Sequence, residues 1–210
     1  MDIYNKSLET LKKLVKNQKK YDYKFYLIGG WAVWAYNPYM KSKDLDIIVD
    51  KRDLWKLTNF LLGLGFRKTS DVLKKEGFAM LIEDDKIEID VYDEKIGKWR
   101  ANELIKNSIK KKVNGEYVNV ISVSRLFLLK AYTAMERLGT PKGEKDLSDI
   151  MALLDSHHND IDFLAINKEL DLKALFKILL SNFKQTIIIY PLSYEKYKEI
   201  KTDLKKLRLV

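Results

Sequence analysis

Asp44 and Asp46 are one residue apart, and the Gly29-Gly30 pair lies ahead of them in the chain. The apolar run Phe25-Tyr26-Leu27-Ile28 reads as a strand, Trp31-Ala32-Val33-Trp34-Ala35-Tyr36 as the opening of a helix, and Asp44-Leu45-Asp46-Ile47-Ile48-Val49 as a second strand. Side chains alternate along a strand, so carboxylates at i and i+2 share a face. Like charges held together repel unless a cation lies between them, and a hard divalent ion such as Mg²⁺ prefers oxygen ligands. Glycines lacking Cβ let backbone N–H groups approach a ligand. A helix beginning at that point offers free N–H groups and its positive dipole end to phosphate. A phosphate site beside a metal site suits a nucleoside triphosphate.

Residues 27–49 (L-I-G-G-W-A-V-W-A-Y-N-P-Y-M-K-S-K-D-L-D-I-I-V) resemble the signature of the DNA polymerase β-like nucleotidyltransferase superfamily. The resemblance implies a third carboxylate on a later strand. In Ile87-Glu88-Ile89-Asp90-Val91-Tyr92 the apolar residues fall on one face and Glu88, Asp90 and Tyr92 on the other. Asp90 is selected for its β-branched neighbours; Glu88 and Asp93 are the competing choices.

Further along, Lys130 is followed by Lys145-Asp146-Leu147-Ser148-Asp149. This resembles the Lys-plus-Lys-Asp-x-x-Asp arrangement of AbiEii-type nucleotidyltransferases, the toxin half of toxin–antitoxin systems. The resemblance implies that Lys130 approaches the nucleotide phosphates, with Asp146 beside it. Their structural alternatives are a snorkelling lysine and an acid in the first turn of a helix. The toxin group's Arg four residues before the first Asp is replaced by Met40, with Ser42, Lys41 and Lys43 nearby; Ser42 and Lys43 are taken as nucleotide-binding candidates with Gly29, Gly30 and Asp146. The Gly-Gly-Trp-Ala-Val form also resembles aminoglycoside and lincosamide nucleotidyltransferases.

These residues need elements to position them. Residues 3–20 read as an amphipathic helix, 52–64 as a helix, 66–69 and 78–82 as short strands, and 99–110 as helical. Asn114-Gly115 reads as the turn of a hairpin. Beyond residue 121 the period is helical: 125–138 with Ser124 as N-cap, then 145–154, 160–182 and 193–208. The expected fold is α+β: a polymerase β-like core of a small mixed sheet with flanking helices over residues 1–121, and a helical region over 122–210.

The chain has 210 residues, no cysteine, and 39 Lys+Arg against 30 Asp+Glu, for a net charge of +9. That balance favours polyanionic partners, and the lack of cysteine excludes disulfides and thiolate metal sites. Met1-Asp2-Ile3-Tyr4 is unlike a signal peptide and no run is long enough to span a bilayer, so a cytoplasmic protein without membrane attachment is expected. His157-His158 has no His or Cys partner and reads as a polar helix end; Trp31 and Trp34 read as core. Lys106, Lys110, Lys111 and Lys112, near Trp99 and Tyr117, form a basic cluster suited to nucleic acid or to a solvated face.

Together these readings describe a nucleotidyltransferase in which Asp44, Asp46 and Asp90 hold two Mg²⁺ (or Mn²⁺) ions and an NTP donates its NMP to a hydroxyl. The expected acceptor is RNA, a tRNA 3′ end first, with an antitoxin protein as partner. A small molecule such as an aminoglycoside ranks second and a protein hydroxyl third. A non-catalytic nucleotide- or RNA-binding module is the reading from a different class.

Overall fold

The computed structural model describes residues 2–69, 77–82, 87–182 and 190–209. These fall into two compact units, residues 1–122 and 123–210.

The first unit begins with α1 (Ile3–Tyr21), capped by Asp2, whose carboxylate accepts the Asn5 N–H at 2.8 Å. Leu8, Leu11 and Leu14 are buried as the spacing predicts, and Ser7 and Thr10 are buried with them. Ser7 has a reason to be there: its Oγ accepts the indole N–H of buried Trp31 at 2.8 Å. There follow β1 (Phe25–Ile28), α2 (Gly29–Tyr36), β2 (Leu45–Val49) and α3 (Lys51–Gly63), the last capped by Asp50. Next come β3 (Arg67–Lys68), β4 (Gly77–Ile82), β5 (Ile87–Tyr92), β6 (Lys95–Ile96) and β7 (Trp99–Arg100). The unit ends with α4 (Ala101–Leu104), β8 (Ile109–Val113) and β9 (Glu116–Val120).

Among the described residues seven strands form one mixed sheet in the order β3-β4-β5-β2-β1-β9-β8, and β6 and β7 form a separate ribbon. β2 runs antiparallel to β1 and parallel to β5, and β1 runs parallel to β9. All four residues of β1 are buried, as befits a strand covered on both faces. β5 alternates buried Ile87, Ile89 and Val91 with half-buried Glu88, Asp90 and Tyr92, the pattern of a strand with one face toward the core.

The expected helix over 99–110 is a single turn, Ala101–Leu104. Asn107 adopts a left-handed φ of 58°, and Ile109–Val113 then pairs with β9 through the Asn114-Gly115 turn. Cross-strand pairing outweighs the helical propensity of three lysines.

In the second unit, α5 (Val123–Glu136) and α6 (Pro141–His157) are followed by a 3₁₀ turn (His158–Asp160), α7 (Phe163–Asn167), α8 (Leu172–Asn182) and α9 (Tyr194–Lys206). α6 starts earlier than the expected residue 145 because Thr140 caps it and Pro141 opens it. A Cβ on Gly143 would meet the Arg137 carbonyl at 2.1 Å, so glycine permits this tight reversal from α5. Ser124 is not an N-cap: α5 begins at Val123, and the Ser124 hydroxyl accepts the Asp162 N–H at 3.0 Å. The expected 160–182 helix is divided, with Asp162 capping α7 and Asp171 accepting N–H groups of Lys173 and Ala174 at the start of α8. Phe127, Phe163 and Phe176 form an aromatic cluster, with ring centroids 5.5–6.3 Å apart. Among the described residues no helix is long and apolar enough to cross a membrane.

Candidate active site

Asp46 lies on β2, directly across from Asp90 on β5 in a parallel register. Residues opposite one another on neighbouring strands project to the same face, so the two carboxylates share one. Both are half-buried, while the alternate residues Leu45, Ile47, Ile89 and Val91 are fully buried. Asp44 is exposed in the bend leading into β2. Continuing the register one residue back brings it level with Glu88, which keeps Glu88 close to the acidic face.

Asp46 is also opposite Ile28, the last residue of β1. The chain turns directly into α2, where Gly29 has φ +63°. A Cβ built on Gly29 would fall 2.0 Å from Oδ2 of Asp46. Glycine is required here twice over, by the left-handed backbone and by the carboxylate packed where a side chain would be. The residue before the helix, Ile28, provides no side-chain cap, so the first turn of α2, with Gly29 and buried Gly30, begins beside a carboxylate with its N–H groups uncapped by that residue. Ser42 is buried and Lys43 exposed, just ahead of Asp44. The neighbouring Lys41 donates to Asn5 Oδ1 at 2.8 Å, tying this loop to α1.

Asp44, Asp46 and Asp90 offer oxygen donors, the type a hard divalent cation prefers, and Gly29 leaves the volume in which Asp46 is seated. Asp93, the other sequence candidate, lies elsewhere. With Ile48, Val49, Asp50, Arg100 and Ile105 it lines a cleft of about 450 Å³ beyond the opposite ends of β2 and β5. Partial burial, with Glu94 nearby, raises its pKa above the ordinary carboxylate value.

Lys130 belongs to the second unit. Its Nζ donates to Asp146 Oδ1 at 2.8 Å and pairs with Asp149 Oδ2 at 2.7 Å, all three side chains being buried. Burial alone would lower the lysine pKa; the facing charges of Asp149 and Asp146 outweigh it and hold the ammonium above its ordinary value. Lys145 reaches Asp149 at 3.2 Å, and Arg137 stands 3.9 Å from Asp146 Oδ2. Asp146 sits beyond the first turn of α6, which excludes the capping role. Asp149 was legible only as the last residue of the Lys-Asp-x-x-Asp run; its i,i+3 spacing from Asp146 places both on one helix face.

No protein-family model matches the chain, and no curated protein sequence matches it. Solved structures do. ANT(2″)-Ia in complex with adenylyl-2″-tobramycin superposes with a TM-score of 0.61 at 16% identity, covering 77% of this chain and 97% of that one. An antigenic nucleotidyltransferase-like protein from Paracoccidioides brasiliensis gives 0.52 at 18% identity over 71% of this chain and 76% of its own. The lincosamide antibiotic adenylyltransferase LnuA, bound to lincomycin, gives 0.50 at 16% identity over 70% and 94%. The chain has the α+β fold of nucleotidyltransferases.

Proposed function

We propose that this protein is a divalent-metal-dependent nucleotidyltransferase that moves a nucleoside monophosphate from an NTP to an acceptor hydroxyl and releases pyrophosphate. The observation that carries this reading is the juxtaposition of Asp46 with Asp90 across β2 and β5 and with Gly29 at the start of α2. Asp44, Asp46 and Asp90 would hold Mg²⁺ or Mn²⁺, which when bound neutralises the triphosphate and lowers the pKa of the acceptor hydroxyl. The backbone N–H groups of Gly29 and Gly30 orient the β- and γ-phosphates, assisted by Ser42 and Lys43. Asp90 takes the proton from the attacking hydroxyl. For Lys130, a role toward the leaving pyrophosphate rests on the resemblance alone; its Nζ is held by Asp146 and Asp149.

For the acceptor, a small-molecule hydroxyl stands ahead of RNA. One of the similar structures is a lincosamide antibiotic adenylyltransferase bound to lincomycin, and another, the antibiotic-resistance factor ANT(2″)-Ia, holds adenylyl-2″-tobramycin; this favours ATP as donor. RNA, with a toxin role and an antitoxin partner, is the second reading. It is supported by the edge strand β8, where exposed Lys110 and Lys112 lie opposite Asn119 and Tyr117, and by the net charge of +9.

The deciding experiment supplies each α-labelled NTP with Mg²⁺ to purified protein, in parallel with a panel of aminoglycosides and lincosamides and with total tRNA. Label on a small molecule supports the first reading and label on tRNA the second. Absence of transfer together with absence of NTP binding by calorimetry would return the protein to the class of non-catalytic modules.

A further inference from the structure

The His157-His158 pair finds partners that its sequence neighbourhood does not reveal. His157 turns to Asp160, with Nδ1 2.9 Å from Oδ2. His158 is 5% exposed, and its Nε2 lies 3.2 Å from Glu199 Oε1 and 3.5 Å from Asp203 Oδ2. At these distances the buried nitrogen has ion-pair contacts, but no well-aligned hydrogen bond to it is found among the described residues.

The two carboxylates are built into one position. Glu199 and Asp203 are an i,i+4 pair on α9, beside the buried Ile200 and Leu204. A lysine holds each through its other oxygen: Lys196 donates to Glu199 Oε2 at 3.0 Å and Lys206 to Asp203 Oδ1 at 2.7 Å. That leaves one oxygen of each turned toward the imidazole, and the three candidate donor atoms lie within 4.8 Å of one another.

These separations are also those of a ligand shell. Tetrahedral bonds of roughly 2.0–2.1 Å put neighbouring ligand atoms about 3.3–3.4 Å apart. One imidazole nitrogen with two carboxylate oxygens is a zinc-class donor set; Mg²⁺ prefers oxygen alone. Glu199 is exposed, so solvent can supply a fourth ligand. We propose that His158, Glu199 and Asp203 bind a divalent transition-metal ion of the zinc class, clipping α9 to the turn that follows α6. The site is distinct in residues and in metal preference from the Asp44, Asp46 and Asp90 face, and does not depend on the proposed transfer reaction.

The test uses the full chain carrying Asp44→Ala and Asp46→Ala, so that the acidic face does not contribute, stripped with a chelator and titrated with Co²⁺. The expected result is one equivalent bound with visible d–d absorption, which Zn²⁺ abolishes by displacement. Zn²⁺ at about a hundredfold excess over Kd should also raise Tm by roughly 5 °C or more. Both signals should be lost in His158→Gln and in Glu199→Gln and kept in His157→Gln. Because Glu199 is exposed, its variant decides the matter even where His158→Gln does not fold. Failure to bind Co²⁺ or Zn²⁺ saturably would overturn the proposal, as would undiminished binding in Glu199→Gln and Asp203→Asn.

Discussion

At Asp46 the requirements of fold and chemistry converge. Its carboxylate is opposite Asp90 and occupies the space a side chain on Gly29 would take. Asp46→Ala should therefore lower nucleotidyl transfer by about a thousandfold or more, since losing a metal ligand forfeits several kcal/mol of transition-state charge stabilisation. The fold should survive by circular dichroism, because the residue is only half-buried. Gly29→Ala is expected to do both kinds of damage. With φ +63° and a Cβ directed at Asp46 Oδ2, it should cost about 1–3 kcal/mol in urea unfolding and also abolish transfer. Asp93 provides the contrast. Burial raises its pKa, so the folded state binds its proton more tightly than the unfolded state does. Its charge then opposes folding, increasingly as pH rises through the ordinary carboxylate range and up to the raised value. Asp93→Asn should leave transfer intact, and any stabilisation should appear at neutral pH and fade in acid; a large loss of activity would move the third carboxylate from Asp90 to Asp93.

Between elements, two pairings set the geometry: β2 with β5, which joins Asp46 to Asp90, and α5 with α6, which joins Lys130 to Asp146 and Asp149. Lys130→Met leaves two buried carboxylates without their central cation and should cost about 3–5 kcal/mol. The raised Lys130 pKa fixes the pH profile. The stabilisation is complete below the ordinary lysine value of about 10.4 and is lost only as pH rises through the higher folded value. The unfolding free-energy gap between wild type and Lys130→Met should accordingly be flat from about pH 6 to 9; a gap that closes within that range would contradict the ion-pair account. The elements legible in the sequence were those with strong local periodicity, such as α1, β1, β2 and β5. The Asn114-Gly115 hairpin was legible too, but the 99–110 segment was not, because its lysines suit a helix locally and only β9 draws Ile109 and Lys110 into a strand. The division of 160–182 was hidden because Asp162 and Asp171 look like ordinary surface acids until their caps are seen. His158 has no His or Cys partner in the sequence, and its facing carboxylates come from α9, far along the chain. The shared face of Asp46 and Asp90 was legible because period-two alternation sets each between buried apolar neighbours, Leu45 and Ile47 for the one and Ile89 and Val91 for the other.

For the whole molecule, the net charge of +9 and the lysines of β8 allow two explanations. Lysines on an edge strand also guard it against pairing with other chains, so charge alone does not establish a nucleic-acid partner. Salt separates the alternatives. An RNA acceptor held through several phosphates should lose affinity by tenfold or more between about 50 and 200 mM salt, whereas a small acceptor of at most one charge should change little; a polycationic aminoglycoside, itself salt-sensitive, is separated from RNA by the labelled product instead. The reaction common to both readings is tested most directly by following pyrophosphate release and NMP transfer from α-labelled ATP with Mg²⁺ and the acceptor panel, comparing wild type with Asp46→Ala. The account predicts stoichiometric pyrophosphate and labelled acceptor in the wild type, both abolished by chelator and by the substitution. Equal transfer by Asp46→Ala, or transfer undiminished by chelator, would contradict it.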